Sequence, residues 1–123
     1  EKQRTEAEAY NDTYVEQHKK WLGVVIVGRG ITIKPLQSIS EFREEAETMH
    51  HCVYANAYYK KKDSLIMSAR DKSGKRLATI EYDLKRKSIL QCRAAYNAQP
   101  ERYKEICNLV SKHDFRKTKI VKQ

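Results

Sequence analysis

The chain has 123 residues, with 25 Lys and Arg against 16 Asp and Glu, a formal net charge of +9. That length suits one domain with a core of ordinary size. The longest apolar run, Trp21 to Val27, is far too short to span a bilayer, and three cysteines (Cys52, Cys92, Cys107) without CxxC spacing argue against a disulfide scaffold or a zinc ribbon.

The cysteine usage points instead to reduced thiols and a cytoplasmic setting, with no targeting segment and no membrane association. Nothing in the sequence calls for a cofactor, and no group of residues has metal-ligand spacing. The first residue is Glu1 and not Met, which reads as a piece of a longer protein, its C-terminal end. Charge is unevenly spread: residues 1–59 hold 7 basic against 9 acidic residues, a net of −2, while residues 60–123 hold 18 against 7, a net of +11. Such asymmetry suggests an anionic partner for the second half, nucleic acid being the usual one; the alternative is a basic sheet edge with a frayed basic tail.

Taken in order, residues 1–20 are polar, lack Gly and Pro, and suit a solvated helical segment with one weak apolar stripe of Tyr10, Tyr14, Val15 and His18. Residues 21–112 form the expected domain proper, and 113–123 a basic tail that frays. Within the domain, Leu22 to Val27 and Ile31 to Ile33 flank the turn Gly28-Arg29-Gly30 and predict a β-hairpin, which Pro35 closes. Ser38-Ile39-Ser40-Glu41 matches a capping box, and the helix that follows lines up Phe42, Ala46, Met49 and Val53. His50 to Tyr59 is expected to extend or restart that helix, and Lys60-Lys61-Lys62-Asp63 to end it.

Ser64–Arg70, Leu77–Asp83 and a third strand through Gln91 and Arg93 predict a meander. A two-residue turn at Ser73-Gly74 pairs Ser68 with Thr79 and Ile66 with Glu81. A three-residue loop, Lys85-Arg86-Lys87, pairs Glu81 with Gln91 and Thr79 with Arg93. Alternation then puts Leu65, Met67, Ala69, Ala78, Ile80, Tyr82, Leu90 and Cys92 on one face, and Ser68, Arg70, Thr79, Glu81, Gln91 and Arg93 on the other. Pro100 opens a last helix to about Lys112, burying Tyr103, Ile106, Cys107 and Val110. The expected fold is therefore α+β: a single domain with a mostly antiparallel sheet of about five strands, an N-terminal helix, a capped central helix carrying His50-His51-Cys52-Val53, and a C-terminal helix. A parallel α/β fold is disfavoured because the meander leaves no room for crossover helices.

The polar strand face has two readings. One is the wet side of a half-buried sheet, steadied by cross-strand pairs. The other is a platform facing a cleft, with Cys52 as nucleophile and a neighbouring imidazole or Glu81 as base. Adjacent helical residues diverge by about 100°, so His50, His51 and Cys52 cannot all serve one site. Either His51 or Cys52 is expected to reach the Arg70–Glu81–Gln91 set, with Cys52 favoured as a buried structural thiol.

The run Glu44-Glu45-Ala46 followed by Met49 to Ile66 resembles the PcfJ-like family, as do Ser68-Ala69-Arg70, Thr79-Ile80-Glu81, and Gln91-Cys92-Arg93 with Asn97. The resemblance covers roughly residues 20–112. Its pattern falls on His50, His51, Cys52, Val53, Arg70, Thr79, Glu81, Gln91, Arg93 and Asn97; Ala94 stands where relatives usually have Gly. The resemblance implies a setting rather than a chemistry: conjugative plasmids and other mobile elements. Three functions follow as expectations. One is an accessory of conjugative DNA transfer that contacts phosphates through Lys60, Lys61, Lys62, Lys85, Arg86, Lys87 and the tail. The second is an enzyme with catalytic His51, Cys52 and Glu81, and His50, Arg70, Thr79, Gln91, Arg93 and Asn97 binding an anionic substrate. The third is a module that docks on conjugation-machinery proteins.

Overall fold

The computed structural model describes residues 5–117. Five strands form one antiparallel sheet in sequence order: β1 (Ile26–Gly28), β2 (Ile31–Pro35), β3 (Ser64–Arg70), β4 (Arg76–Asp83) and β5 (Ser88–Arg93). With the α-helices before, between and after them this is an α+β domain.

The N-terminal segment is two short helices, α1 (Glu6–Ala9) and α2 (Asn11–His18), and not one solvated helix. Thr5 and Glu8 cap α1 reciprocally. On α2, Tyr14 and His18 lie one turn apart and are both buried. The Tyr14 hydroxyl donates to the Leu36 carbonyl, and the His18 ring sits 3.0 Å from the Tyr14 carbonyl and 3.1 Å from those of Lys61 and Ser64. The weak stripe is thus a genuine core face, although Val15 stays exposed.

The β1–β2 turn is two residues, Arg29 and Gly30, both at positive φ, the mirror-image geometry that matches strand twist. Ser38 then caps α3 (Ile39–Met49) by accepting from the Glu41 amide, while the Glu41 carboxylate accepts from the Gln37 amide. The helix stops at Met49. His50 is left-handed (φ 52), and the amides of His50 and His51 both donate to the Ala46 carbonyl, which closes the helix end and reverses the chain. His50-His51-Cys52-Val53 therefore follows the helix instead of riding on it, and residues 51–57 are irregular up to a 3₁₀ turn at Tyr58–Lys60.

In the meander, Ser68 pairs with Thr79, Ile66 with Glu81, Glu81 with Gln91 and Thr79 with Arg93, as alternation predicts. The turns that produce this register differ from the expected ones. The first hairpin closes on Asp71 and Lys75, a three-residue loop with Gly74 at φ 88, and a bulge at Leu77 restores the pairing. The second closes on Asp83 and Ser88, a four-residue loop ending at left-handed Lys87, and a bulge at Leu90 restores it. That bulge corrects one assignment: Ile89 pairs with Tyr82 and packs on the core, while Leu90 is 48% exposed.

Both faces of the sheet are covered. α4 (Tyr103–Lys112) lays Ile106 and Val110 on the apolar face with Leu65, Met67, Ala78 and Ile80. The helix starts at Tyr103, not at Pro100, and its Tyr103 is exposed. The Phe115 ring stacks on Tyr82 at 4.4 Å, so the start of the expected tail is docked; residues 118–123 lie outside the described residues. α3, with α1 and α2, covers the other face, where Phe42, Val53, Tyr59 and Tyr14 meet Ile66. The polar strand face is consequently not the wet side of the sheet: Ser68, Thr79 and Glu81 are buried. No helix among the described residues is long and apolar enough to cross a membrane.

The left-handed histidine after α3 generates a prediction. Glycine pays no Cβ penalty there, so His50→Gly should raise unfolding stability by about 0.5–1 kcal/mol. Urea denaturation of both proteins checks it; a lower midpoint for the variant would show that the imidazole contributes more packing than its backbone costs.

Candidate functional site

The buried polar face is organised by two carboxylates. Glu45 projects from α3 and has no exposed surface. Its Oε2 accepts from the Thr79 hydroxyl, its Oε1 accepts from Arg76 Nε at 2.8 Å, and Arg70 Nη2 lies 4.0 Å from Oε1. Arg70 and Arg76 are cross-strand partners, so the carboxylate relieves a like-charge pair as well as its own burial. Because Thr79 gives its proton to Glu45, its oxygen accepts from His51 Nε2 at 2.9 Å. That leaves His51 Nδ1 as an acceptor, which faces the Val53 amide at 3.5 Å. Burial holds the His51 imidazole below its ordinary pKa, outweighing the opposing pull of Glu45, so the ring is neutral at pH 7.

Glu81, 4% exposed, anchors the second group. Its Oε2 accepts from Ser64 Oγ at 2.8 Å and from Lys61 Nζ at 3.2 Å, and its Oε1 accepts from Gln91 Nε2 at 3.2 Å. Gln91 Nε2 also donates to the Tyr58 hydroxyl at 3.0 Å, and Lys61 Nζ sits 4.0 Å over the Tyr58 ring. Between the two groups opens a cleft of about 440 Å³. Its walls include His51, Cys52, Thr79, Glu81, Gln91, Arg93 and Asn97.

Most of the residues singled out from sequence therefore meet in one place, with distinct exceptions. Arg70 lines a neighbouring concavity of about 370 Å³, donates from Nε to Ser68 Oγ, and approaches Glu45 instead of Glu81. His50 stands outside the cleft wall and stacks on Tyr96. His51 and Cys52 both line the cleft, where only one was expected, because the reversal after α3 replaces helical spacing. Cys52 is exposed and not a buried structural thiol; the buried thiol is Cys92, which burial pushes up to about 12. Lys60, Lys61 and Lys62 are all exposed, but the Lys61 ammonium group reaches Glu81 at 3.2 Å. The Leu84 amide donates to the Asp63 carbonyl and Lys85 pairs with the Asp63 carboxylate at 3.4 Å, so both basic triplets lie at one end of the sheet beside the cleft. Among the described residues no group of three His, Cys, Asp or Glu side chains is placed to hold a metal ion.

Glu45 and Arg76 were missed as site residues. The signal was present: Glu45 is three residues after Phe42 and four before Met49, a carboxylate set in the buried stripe of α3. The family model for PcfJ-like protein matches residues 1–107, and the chain belongs to that family. No curated protein and no solved structure matches the chain.

Two predictions follow from the Glu45 group. Glu45→Ala strands Arg76 against a half-buried surface and should cost about 3 kcal/mol of stability. Glu44→Ala, which removes only an exposed contact at 4.0 Å, should change it by less than about 0.5 kcal/mol. Equal effects on the guanidinium-unfolding midpoint would refute the assignment. For His51, the folded pKa lies below the unfolded one, so its contribution is fully present above the unfolded value of 6.5 and is lost as pH falls through that value toward the folded one. His51→Gln should flatten the stability profile on the acid side of neutrality, measured as the difference in urea midpoint between about pH 7.5 and 5.5.

Proposed function

We propose that this PcfJ-like domain is an accessory of conjugative DNA transfer that holds an anionic stretch of nucleic acid across the His51 cleft. One observation carries the reading. Both acids in the cleft region are already paired, Glu45 with Arg76 and Glu81 with Lys61, and His51 is neutral. Arg93 is exposed and has no ion-pair partner among the described residues, so the charge left facing a ligand is positive. Asn97 and Asn56, also exposed on the cleft, offer amide donors beside it. Lys60, Lys62 and the Lys85–Lys87 loop extend the positive surface along one end of the sheet. Contacts of this kind read phosphates and not base sequence.

A second reading, an enzyme acting on an anionic substrate, is favoured by the Glu45–Thr79–His51 chain. It holds a neutral imidazole beside an exposed thiol, Cys52. A positioned neutral histidine is suited to general-base work. Peptide-resolved iodoacetamide labelling separates the readings: alkylation of Cys52 much faster than a free thiol near neutral pH supports a nucleophile, and a free-thiol rate removes it.

For the nucleic-acid reading, the domain should bind single- and double-stranded DNA at low salt. With roughly four phosphates engaged, affinity for the single strand should fall about 50-fold between about 50 and 200 mM salt. Fluorescence anisotropy of labelled oligonucleotides measures it. Charge reversal at Lys62 and Arg86 together should reduce both the affinity and the salt slope. Undetectable binding at low salt would end this reading.

A further inference from the structure

At the end of α3 and in the turn after β5, three residues beside the cleft hold the left-handed backbone conformation that glycine adopts most freely. They are His50 (φ 52), Tyr96 (φ 58) and Asn97 (φ 61). For His50 and Tyr96 this region is strained, so the surrounding structure must impose it. Its result is visible. The Tyr96 and His50 rings lie parallel, 4.5 Å between centroids and 5° between planes. Tyr96 is nevertheless 73% exposed, the most exposed large hydrophobic side chain described. With one face against the imidazole, the other face of the phenol is open to solvent. The 3₁₀ turn Ala95–Asn97 packs against α3, and the Ala94 amide closes it by donating to the Ala98 carbonyl at 2.7 Å. The ring is therefore presented by a braced turn rather than by a loose loop. Its chain neighbours Asn97 and Arg93 line the cleft, as does His51 beside His50.

We infer that the Tyr96–His50 stack is a platform for an unpaired nucleobase, and that the nucleic acid held at this cleft is single-stranded. The inference rests on the phosphate-binding reading above and adds the ligand's class. A flat, open aromatic face accepts any base, whereas a duplex hides its base faces in the stack. Arg93, three residues away in sequence and exposed on the cleft, is placed for the adjoining phosphate. Asn97 offers both a donor and an acceptor for a base edge.

The test compares two fluorescein-labelled probes at low salt, oligothymidine and a hairpin duplex of matched phosphate count, on wild type, Tyr96→Ala, Tyr96→Trp and the Lys62→Glu/Arg86→Glu double variant. Tyr96→Ala should weaken oligothymidine binding about tenfold and leave the duplex within about twofold. Tyr96→Trp should retain single-strand binding, since the larger ring stacks at least as well. The double variant should weaken both probes. If Tyr96→Ala binds oligothymidine as tightly as wild type, or loses both probes equally, the platform is overturned while the phosphate reading stands on the double variant. If wild type binds neither probe, both readings fail together. Because the side chain is exposed, the substitution leaves the core intact, and an unchanged urea midpoint verifies it.

Discussion

A carboxylate with no exposed surface, Glu45, fixes how helix and sheet meet in this protein. An ionised group in such a position costs several kcal/mol unless its partners are in place. Here the partners come from β3 and β4: the Thr79 hydroxyl and the guanidinium groups of Arg76 and Arg70. The requirement is mutual, because the two arginines face each other across the strands. Any shift of α3 along the sheet would break the group, so the helix has one position. From that position its end is only one reversal away from Thr79. The left-handed His50 supplies the reversal and places His51 on the threonine oxygen. The cleft follows from the same fit: it is the space left where α3 has ended and the polar strand residues continue.

Strand order and register were legible in the sequence because period-two alternation over β3, β4 and β5 admits one pairing. Turn chemistry was less legible, and the two errors cancel in an instructive way. Each loop is one residue longer than read, and each is followed by a one-residue bulge, at Leu77 and at Leu90, that returns the strands to the predicted register. The burial pattern of the strands dictates the pairing, and the loops adapt to it. The exposed Leu90 is the visible residue of that adjustment. What could not be read was which helix takes which face. Both α3 and α4 carry apolar stripes, and the apolar sheet face suits either. The deciding feature is Glu45, a single acid within the α3 stripe, which has partners only on the polar face.

The candidate site was legible as a set of residues and not as a set of contacts. Thr79, Glu81, Gln91 and Arg93 share a face by alternation alone, and His50-His51-Cys52 gathers two imidazoles and a thiol between Met49 and Val53 of the predicted helical stripe. Their partners depend on distance in space. Arg70 and Glu81 were grouped because they sit on one face, yet each takes its opposite charge from elsewhere, Glu45 for the arginine and Lys61 for the glutamate. Lys61 is the clearest case. Within Lys60-Lys61-Lys62 nothing distinguishes the middle residue, but its ammonium group lies over Tyr58 and meets Glu81. His51 and Cys52 could not both be placed while the segment was treated as helical, since helical spacing separates them and an irregular chain does not.

One wall of the cleft, residues 51–63, has almost no regular structure, and its shape must be held from outside. The holding contacts come largely from the first twenty residues. The His18 ring meets the Lys61 and Ser64 carbonyls, and Tyr10 and Tyr14 enter the aromatic cluster with Phe42 and Tyr59. Asn11 accepts from the Ile39 amide at the start of α3, and Arg43 pairs with Glu8 at 3.1 Å. These fix both ends of the wall: the helix it leaves and the strand it joins. A segment that looks like a polar preamble is therefore part of the scaffold of the site, and the match to the PcfJ-like family takes it in. It also places the polar cleft between two supports, the sheet on one side and the 51–63 chain on the other. Both buried carboxylates are neutralised by basic side chains of the domain itself, which leaves Arg93 as exposed positive charge on the cleft wall.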